Sequence, residues 1–335
     1  MSAAAVAAGP RLPGRGSWSD RRAERVLGAV ACLVLAVIAF MVVFVVAKAL
    51  PSFAHNGLNW LSSPGDTPTN TEFDNILRPT TARVNYTLHA GPILGATAMV
   101  TGLSVVLALG FSVLAAVFIV EFSPAWLRPT LGRVVRLLAA VPSVVYGLIG
   151  ILVLVPFVGN HLVTLHQKSS VNAVVQLTGA CLLTGVIVLT VMIAPIMIAV
   201  ISDALRQVPR SWSEGAAALG VNRWRVVRTI GLRAARPAIV AATVLATARA
   251  LGEAIMLSMV AGRVGFQPNP LDGLIFFFEP ARPLAATIIA RNAVEPPALV
   301  STLYGLAVIL LISSFALSVG AYLAKQPMKR YGVRL

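Results

Sequence analysis

Residues 91–120 read GPILGATAMVTGLSVVLALGFSVLAAVFIV, a run with no Asp, Glu, Lys or Arg before Glu121. A helix needs about 20 apolar residues to cross the hydrocarbon core of a bilayer, so this stretch is long enough to span one. Working outward, five more runs qualify: 26–47, 137–160, 169–202, 237–262 and 296–324. The whole chain of 335 residues is 57% hydrophobic and only 12% charged, against about 25% charge in a typical soluble domain. These features predict an all-α integral membrane protein with about six transmembrane helices. The run 26–47 exceeds the roughly 7–15 residues of a signal-peptide core and reads as a retained anchor. The segments follow: a basic tail over 1–25, rich in Ala, Gly, Pro, Arg and Ser and read as disordered; a first helix over 26–50; a polar external loop over 51–90; a five-helix core over 91–325 containing a basic loop at 205–236; and a basic tail over 326–335.

The formal net charge of +15 would suggest nucleic acid in a soluble protein, but its distribution says otherwise and no nucleic-acid motif is present. Arg11, Arg15, Arg21, Arg22 and Arg25 precede the first run; Arg128, Arg133 and Arg136 follow the second; seven arginines lie between 206 and 236; Lys325, Lys329, Arg330 and Arg334 follow the last. These alternate segments hold nineteen of the 27 basic residues, which the positive-inside rule reads as the cytoplasmic side, with both termini there. The surrounding lipid is the medium these runs require. Cys32 and Cys181 lie in separate apolar runs and read as buried small side chains, neither a disulfide nor a metal site. His55, His89, His161 and His166 have no metal-ligand spacing, and no metal or cofactor is expected in this chain. Of the external stretches, 263–295 carries Phe276, Phe277 and Phe278 between prolines, and its apolar cluster suits either the membrane surface or the outer helix ends.

The loop 205–236 is the most informative. Ser211 and Glu214 have the spacing of a capping box, Ala216, Ala217, Ala218 and Leu219 extend a helix, Gly220 sits where a glycine ends one, and Asn222 can cap a second helix through Trp224, Val227 and Ile230. Trp212, Leu219 and Trp224 then give a compact elbow an apolar surface, suited either to a partner's groove or, with its arginines, to anionic lipid. Inside the fifth run, Arg249 is costly at mid-membrane, about 2.5–3.5 kcal/mol even on lenient scales. Glu253, four residues on, is expected on the same helix face as its partner. The pair reads as a structural ion pair or as an anion site on a transport path, since guanidinium offers forked donors to phosphate or sulfate oxygens. Pro142 and Gly147 loosen the start of the third run, where Ser143 and Tyr146 offer hydroxyls to free carbonyls or a passing anion.

Several of these segments resemble a known family. Glu214-Gly215-Ala216, Gly220, Ile230 and Leu232 match the spacing of the EAA loop (E-A-A-x3-G-x9-I-x-L-P) of ABC-importer permeases, with Gly215 and Arg233 departing from it. Residues 248–254 (ARALGEA) and 141–147 (VPSVVYG) resemble segments of phosphate-specific permeases, and the polar insert after the first run resembles their C-type subunit. The resemblance implies a type I ABC importer permease architecture, a coupling role for Glu214, Ala216, Gly220, Ile230 and Leu232, and a substrate path at Arg249 and Glu253, with Ser143 and Tyr146 beside it. It also implies partners: a homologous second permease, an ATPase dimer using ATP and Mg, and an external phosphate-binding protein. The chain has no Walker, H-E-x-x-H or G-x-S-x-G motif of its own. Sulfate or molybdate as cargo, or a proton-coupled transporter with Glu253 as carrier, are the alternatives.

Overall fold

The computed structural model describes residues 18–62, 72, 76, 86–164, 167, 177–262, 267–290 and 297–325; most of the basic tail over 1–25, the tail over 326–335 and His166 lie outside them. All regular structure among the described residues is helical, with five helices long and apolar enough to span a membrane and a sixth if one bent pair is counted as a span. The chain divides into two units, Met1–Ala47 and Lys48–Leu335.

The first unit holds most of α1, Trp18–Asn56. It begins ahead of the apolar run because Arg22, Ala23, Glu24 and Arg25 are good helix formers, so residues 18–25 of the tail read as disordered are helical. Its apolar side chains from Val26 to Val46, all but Val45, are exposed, as is Cys32. The expected burial of Cys32 therefore fails, because a helix apolar on every side buries nothing by itself.

In the second unit, Pro51 interrupts the ladder of α1. The N–H of Ser52 donates instead to Ser301 Oγ at 3.0 Å, and Trp60 Nε1 donates to Ser52 Oγ at 3.1 Å. A 3-10 turn at Gly57–Leu61 buries Trp60 completely, so the loop expected from 51 opens with packed helical structure. Asn56 fastens it, donating to the carbonyls of Ser52 and Tyr86 and accepting from the N–H of Leu88.

The centre of this unit is α2 (Gly91–Val117, prolonged by a π turn at Phe118–Phe122) against the helix Leu182–Arg206. Ala96, Val100, Ser104, Ala108, Ser112 and Ala116 recur every fourth residue and are all buried, forming a ridge low enough for a close approach. Hydroxyls bond across it: Ser104 Oγ donates to Val186 O and Ser112 Oγ to Ala194 O, both at 3.2 Å, while Thr190 Oγ1 donates back to Ser104 O. In lipid, small residues and such bonds replace the hydrophobic effect as the source of helix association.

Helix boundaries shift where prolines and glycines act. An amphipathic α3, Arg128–Ala139, takes Leu137, Leu138 and Ala139 out of the expected third span. Pro142 precedes α4, Ser143–Ile149, at the N-cap position rather than kinking it, because Val141 before a proline is driven from helical geometry. The span continues through π turns at Gly150–Leu154 and Val158–Leu162 around Pro156, which has no N–H to give. The fourth span, α5, is Leu182–Arg206 rather than 169–202: 177–181 are non-helical, and Gly179 there, at φ 88°, has Val155 O where an added Cβ would lie. Of the aromatic cluster, a 3-10 stretch, Pro270–Phe278, packs Phe276 on the main core and Phe278 beside Val158, Val163, Leu177 and Cys181, while Phe277 stays exposed.

Gly179→Ala should destabilise the protein by about 3 kcal/mol or more, from the left-handed φ plus a backbone clash. Gly102→Ala, where a Cβ meets nothing within 4 Å in mid-helix, should be neutral or stabilising by about 0.5–1 kcal/mol. Thermal unfolding in detergent compares the two, and equal midpoints would refute the close-approach reading.

Candidate functional site

The basic loop folds as the elbow its residues suggest, with one difference. Helix α6, Arg210–Ala218, starts from Pro209, whose carbonyl accepts the Trp212 N–H at 3.1 Å; no side chain caps it. Ser211 therefore lies inside the first turn and the expected Ser211–Glu214 capping box does not form, because the proline sets the start two residues earlier. The C-terminal signals operate as read. Gly220 takes φ 74°, its N–H bonds Ala217 O at 2.9 Å and that of Val221 bonds Ala216 O at 3.2 Å, a Schellman closure that only glycine adopts without strain. Asn222 Oδ1 then accepts the Trp224 N–H at 2.9 Å and caps α7, Arg223–Val226.

Leu219, at 84% exposure, and the half-exposed Trp212 and Trp224 leave the elbow an apolar surface. Trp224 is anchored on one side against Phe122, 6.3 Å between centroids, and Arg223 lies 5.2 Å over the same ring. Behind the elbow is a cleft of about 940 Å3 whose walls carry Glu121, Glu214, Arg128, Arg206 and Arg223. Arg128 donates to Ser123 O at 3.2 Å, yet its Nε is buried without an acceptor among the described residues. Of the residues read as coupling, Glu214 lines the cleft, Ala216 and Gly220 close the first helix, Ile230 lies in a π turn at Val227–Gly231, and Leu232 packs on the main core. The cleft residues Glu121, Arg128 and Arg206 read in the sequence only as the end of a run and as side-setting charges; they come from three different segments, so no local pattern marks them as one site.

The charged pair differs more. Helix α8, Arg236–Leu251, is 16 residues long, about 24 Å at 1.5 Å per residue. It stops before Glu253, and α9, Ile255–Val260, follows after a break. The helical register that would set Glu253 beside Arg249 is lost there. No ion pair joins them among the described residues; Glu253 Oε1 instead accepts the Met256 N–H at 3.1 Å and caps α9. Arg249 is exposed on the last turn of α8, where a cation complements the helix dipole.

The segment 142–147 adjoins this break. Gly147 on α4 admits α9 so closely that an added Cβ would lie 2.9 Å from Met259 Sδ and 3.1 Å from Met256 Cα. Tyr146 Oη donates to Leu138 O at 3.0 Å, serving a carbonyl at the end of α3, and lies within electrostatic reach of Arg249. Ser143 opens α4 and is half-buried. Among the described residues, no group of His, Cys, Asp and Glu is placed to hold a metal. His161 stacks on Phe157 at 5.0 Å, and His89 pairs with Glu72.

A multi-span helical bundle with a charged break in one span and an uncovered elbow at its base has the build of a membrane permease. The family model described as "Binding-protein-dependent transport system inner membrane component" matches residues 108–326, and the chain belongs to that family: it is a transport component, not an enzyme. The chain is 36% identical over 252 residues to the "Probable ABC transporter permease protein YqgH" of Bacillus subtilis (strain 168), covering 75% of this chain and 74% of that one. It is 33% identical over 255 residues to the "Phosphate transport system permease protein PstC 1" of Mycobacterium tuberculosis (strain ATCC 25618 / H37Rv), covering 73% and 74%. The crystal structure of a bacterial alginate ABC transporter in complex with its alginate pentasaccharide-bound periplasmic protein shares the fold, with a TM-score of 0.56 at 14% identity over 93% of this chain and 97% of that one.

Asn222→Ala should weaken the start of α7 by about 1 kcal/mol, seen as about fivefold faster amide exchange at Trp224. Ser211→Ala should leave exchange in α6 unchanged, since no cap bond is lost. Equal exchange at Trp224 in wild type and Asn222→Ala would refute the cap assignment.

Proposed function

We propose that this chain is a permease subunit of an ATP-driven importer of inorganic phosphate, the C-type member of a pair. The observation that carries this reading is Arg249: a guanidinium near the middle of an apolar segment, exposed on this chain and without a carboxylate within ion-pair distance among the described residues. Such a group is too costly to face lipid. It needs a second subunit and a wet path against it, and its forked donors suit a tetrahedral oxyanion. The relatives named as phosphate permeases favour phosphate among the oxyanions.

In this reading a homologous permease faces Arg249 and completes the path. An external binding protein delivers phosphate, Arg249 receives it, and alternating access releases it inward. Glu253 shapes the path by holding the start of α9. It keeps the helix break in place, while Ser143 and Tyr146 line the neighbouring wall. The elbow docks on an ATPase subunit that binds ATP and Mg, with Trp212 and Leu219 as apolar anchors. The open Nε of Arg128 in the cleft wall suits a carboxylate or carbonyl of that partner. Both termini are cytoplasmic, which the distribution of arginine and lysine supports.

Arg249→Ala should lower labelled-phosphate uptake about ten- to a hundredfold, the worth of one or two charge-assisted bonds, while ATPase copurification stays intact. Arg249→Lys should retain part of the uptake. Full uptake by Arg249→Ala would reject the anion-path role, and equal competition by sulfate or molybdate would reject phosphate as the preferred cargo. Leu219→Asp, at a position with no packing to lose, should abolish ATPase copurification without reducing the amount of chain in the membrane; unchanged copurification would reject the docking surface.

A further inference from the structure

The seven arginines of the basic loop do not all do the same thing. Arg228, Arg233 and Arg236, with Thr229 and Leu232, line one concavity of about 320 Å3. It is separate from the cleft behind the elbow: the two share no lining residue. No acidic residue lines it, and among the described residues none of the three arginines has a side-chain hydrogen bond or ion pair.

The backbone explains how they converge. In an α-helix, residues five apart point about 140° away from each other. Arg228 lies within the π turn Val227–Gly231 and Arg233 just beyond it. The wider turn of a π-helix brings positions five apart back toward the same side. A short helical turn, Leu232–Ala234, then bends by 65° into α8, which sets Arg236 on the rim. Arg236 is the first residue of α8, the end where the helix dipole is positive and a cation is unfavourable. Three like charges and a positive helix end thus share one pocket, with no acidic residue among the described ones that line it.

Position along the chain narrows the ligand. The pocket sits at the bend where the basic loop gives way to the apolar residues of α8, and basic residues flanking an apolar segment favour phosphate-bearing headgroups. We propose that Arg228, Arg233 and Arg236 form a binding site for a phosphate group, borne either by an anionic phospholipid headgroup or by free orthophosphate on the cytoplasmic side. Guanidinium forks match phosphate oxygens, and Thr229, whose Oγ1 donates to Arg225 O at 2.6 Å, keeps lone pairs and shape at the pocket wall rather than a charge. Occupied, the pocket would stiffen the bend between elbow and span, so its ligand would modulate coupling without lying on the transport path.

The test uses the full chain in its purified complex, in nanodiscs of phosphatidylcholine with or without phosphatidylglycerol. Native mass spectrometry counts retained phosphatidylglycerol, and equilibrium dialysis in pure phosphatidylcholine measures binding of labelled orthophosphate. Wild type should retain phosphatidylglycerol or bind orthophosphate, and which of the two it does names the source. The double substitution Arg228→Gln with Arg233→Gln should abolish that retention, or weaken orthophosphate binding about tenfold for each lost charge-assisted bond. Arg225→Gln, on the same segment but off the pocket, should behave as wild type and controls for folding. Arg249→Ala should leave the pocket ligand bound, which separates this site from the transport path. The proposal is overturned if wild type holds neither ligand, if the double variant binds as wild type does, or if it alters only ATPase copurification.

Discussion

The close approach of α2 to α5 is the interaction on which the other helices depend. In lipid there is no water to expel, so two apolar helices gain little from meeting unless their backbones can come near enough for dense packing and polar contact. The ridge of small residues from Ala96 to Ala116 permits that distance, and Ser104, Ser112 and Thr190 use it to bond across the seam. Helices α4, α8 and α9 then pack on the paired core, with Gly147, Gly150 and Gly185 providing the space they need.

On this frame the irregular elements lie at the two ends and at one break. Backbone that departs from helix inside a bilayer is tolerated only where other groups satisfy it. Glu253 serves the start of α9, Tyr146 serves the end of α3, and the stretch 177–181 is stitched by Leu182 N–H to Glu279 O and Thr184 Oγ1 to Gly179 O. The polar side chains of the spans thus act first as backbone partners. Arg249, on the last turn of α8, has no such backbone bond among the described residues.

Much of this was legible in the residues. Charge-free length marks a span regardless of tertiary context, so 91–120 and 296–324 match their helices closely. The elbow was legible because Gly220 and Asn222 act within a turn of their own positions. Features that depend on distant partners were not. Nothing near Arg249 indicates that α8 ends at Leu251, since Gly252 is tolerated in helices and the break is held by a carboxylate that equally suits an ion pair. The Ser211–Glu214 spacing was present but outcompeted by Pro209. The arginine-lined concavity depends on a π turn, which has no sequence signature, and the cleft draws on five separate segments of the chain.

The exposure of Arg249 also bears on the life of the chain before it has company. Inserted alone, it would present an uncompensated cation to hydrocarbon, dragging in water or thinning the bilayer around it. In the proposed assembly, an orphan copy would be less settled in the membrane than a paired one, so the arginine that suits an anion would also tie the comfort of this subunit in lipid to the presence of its neighbour.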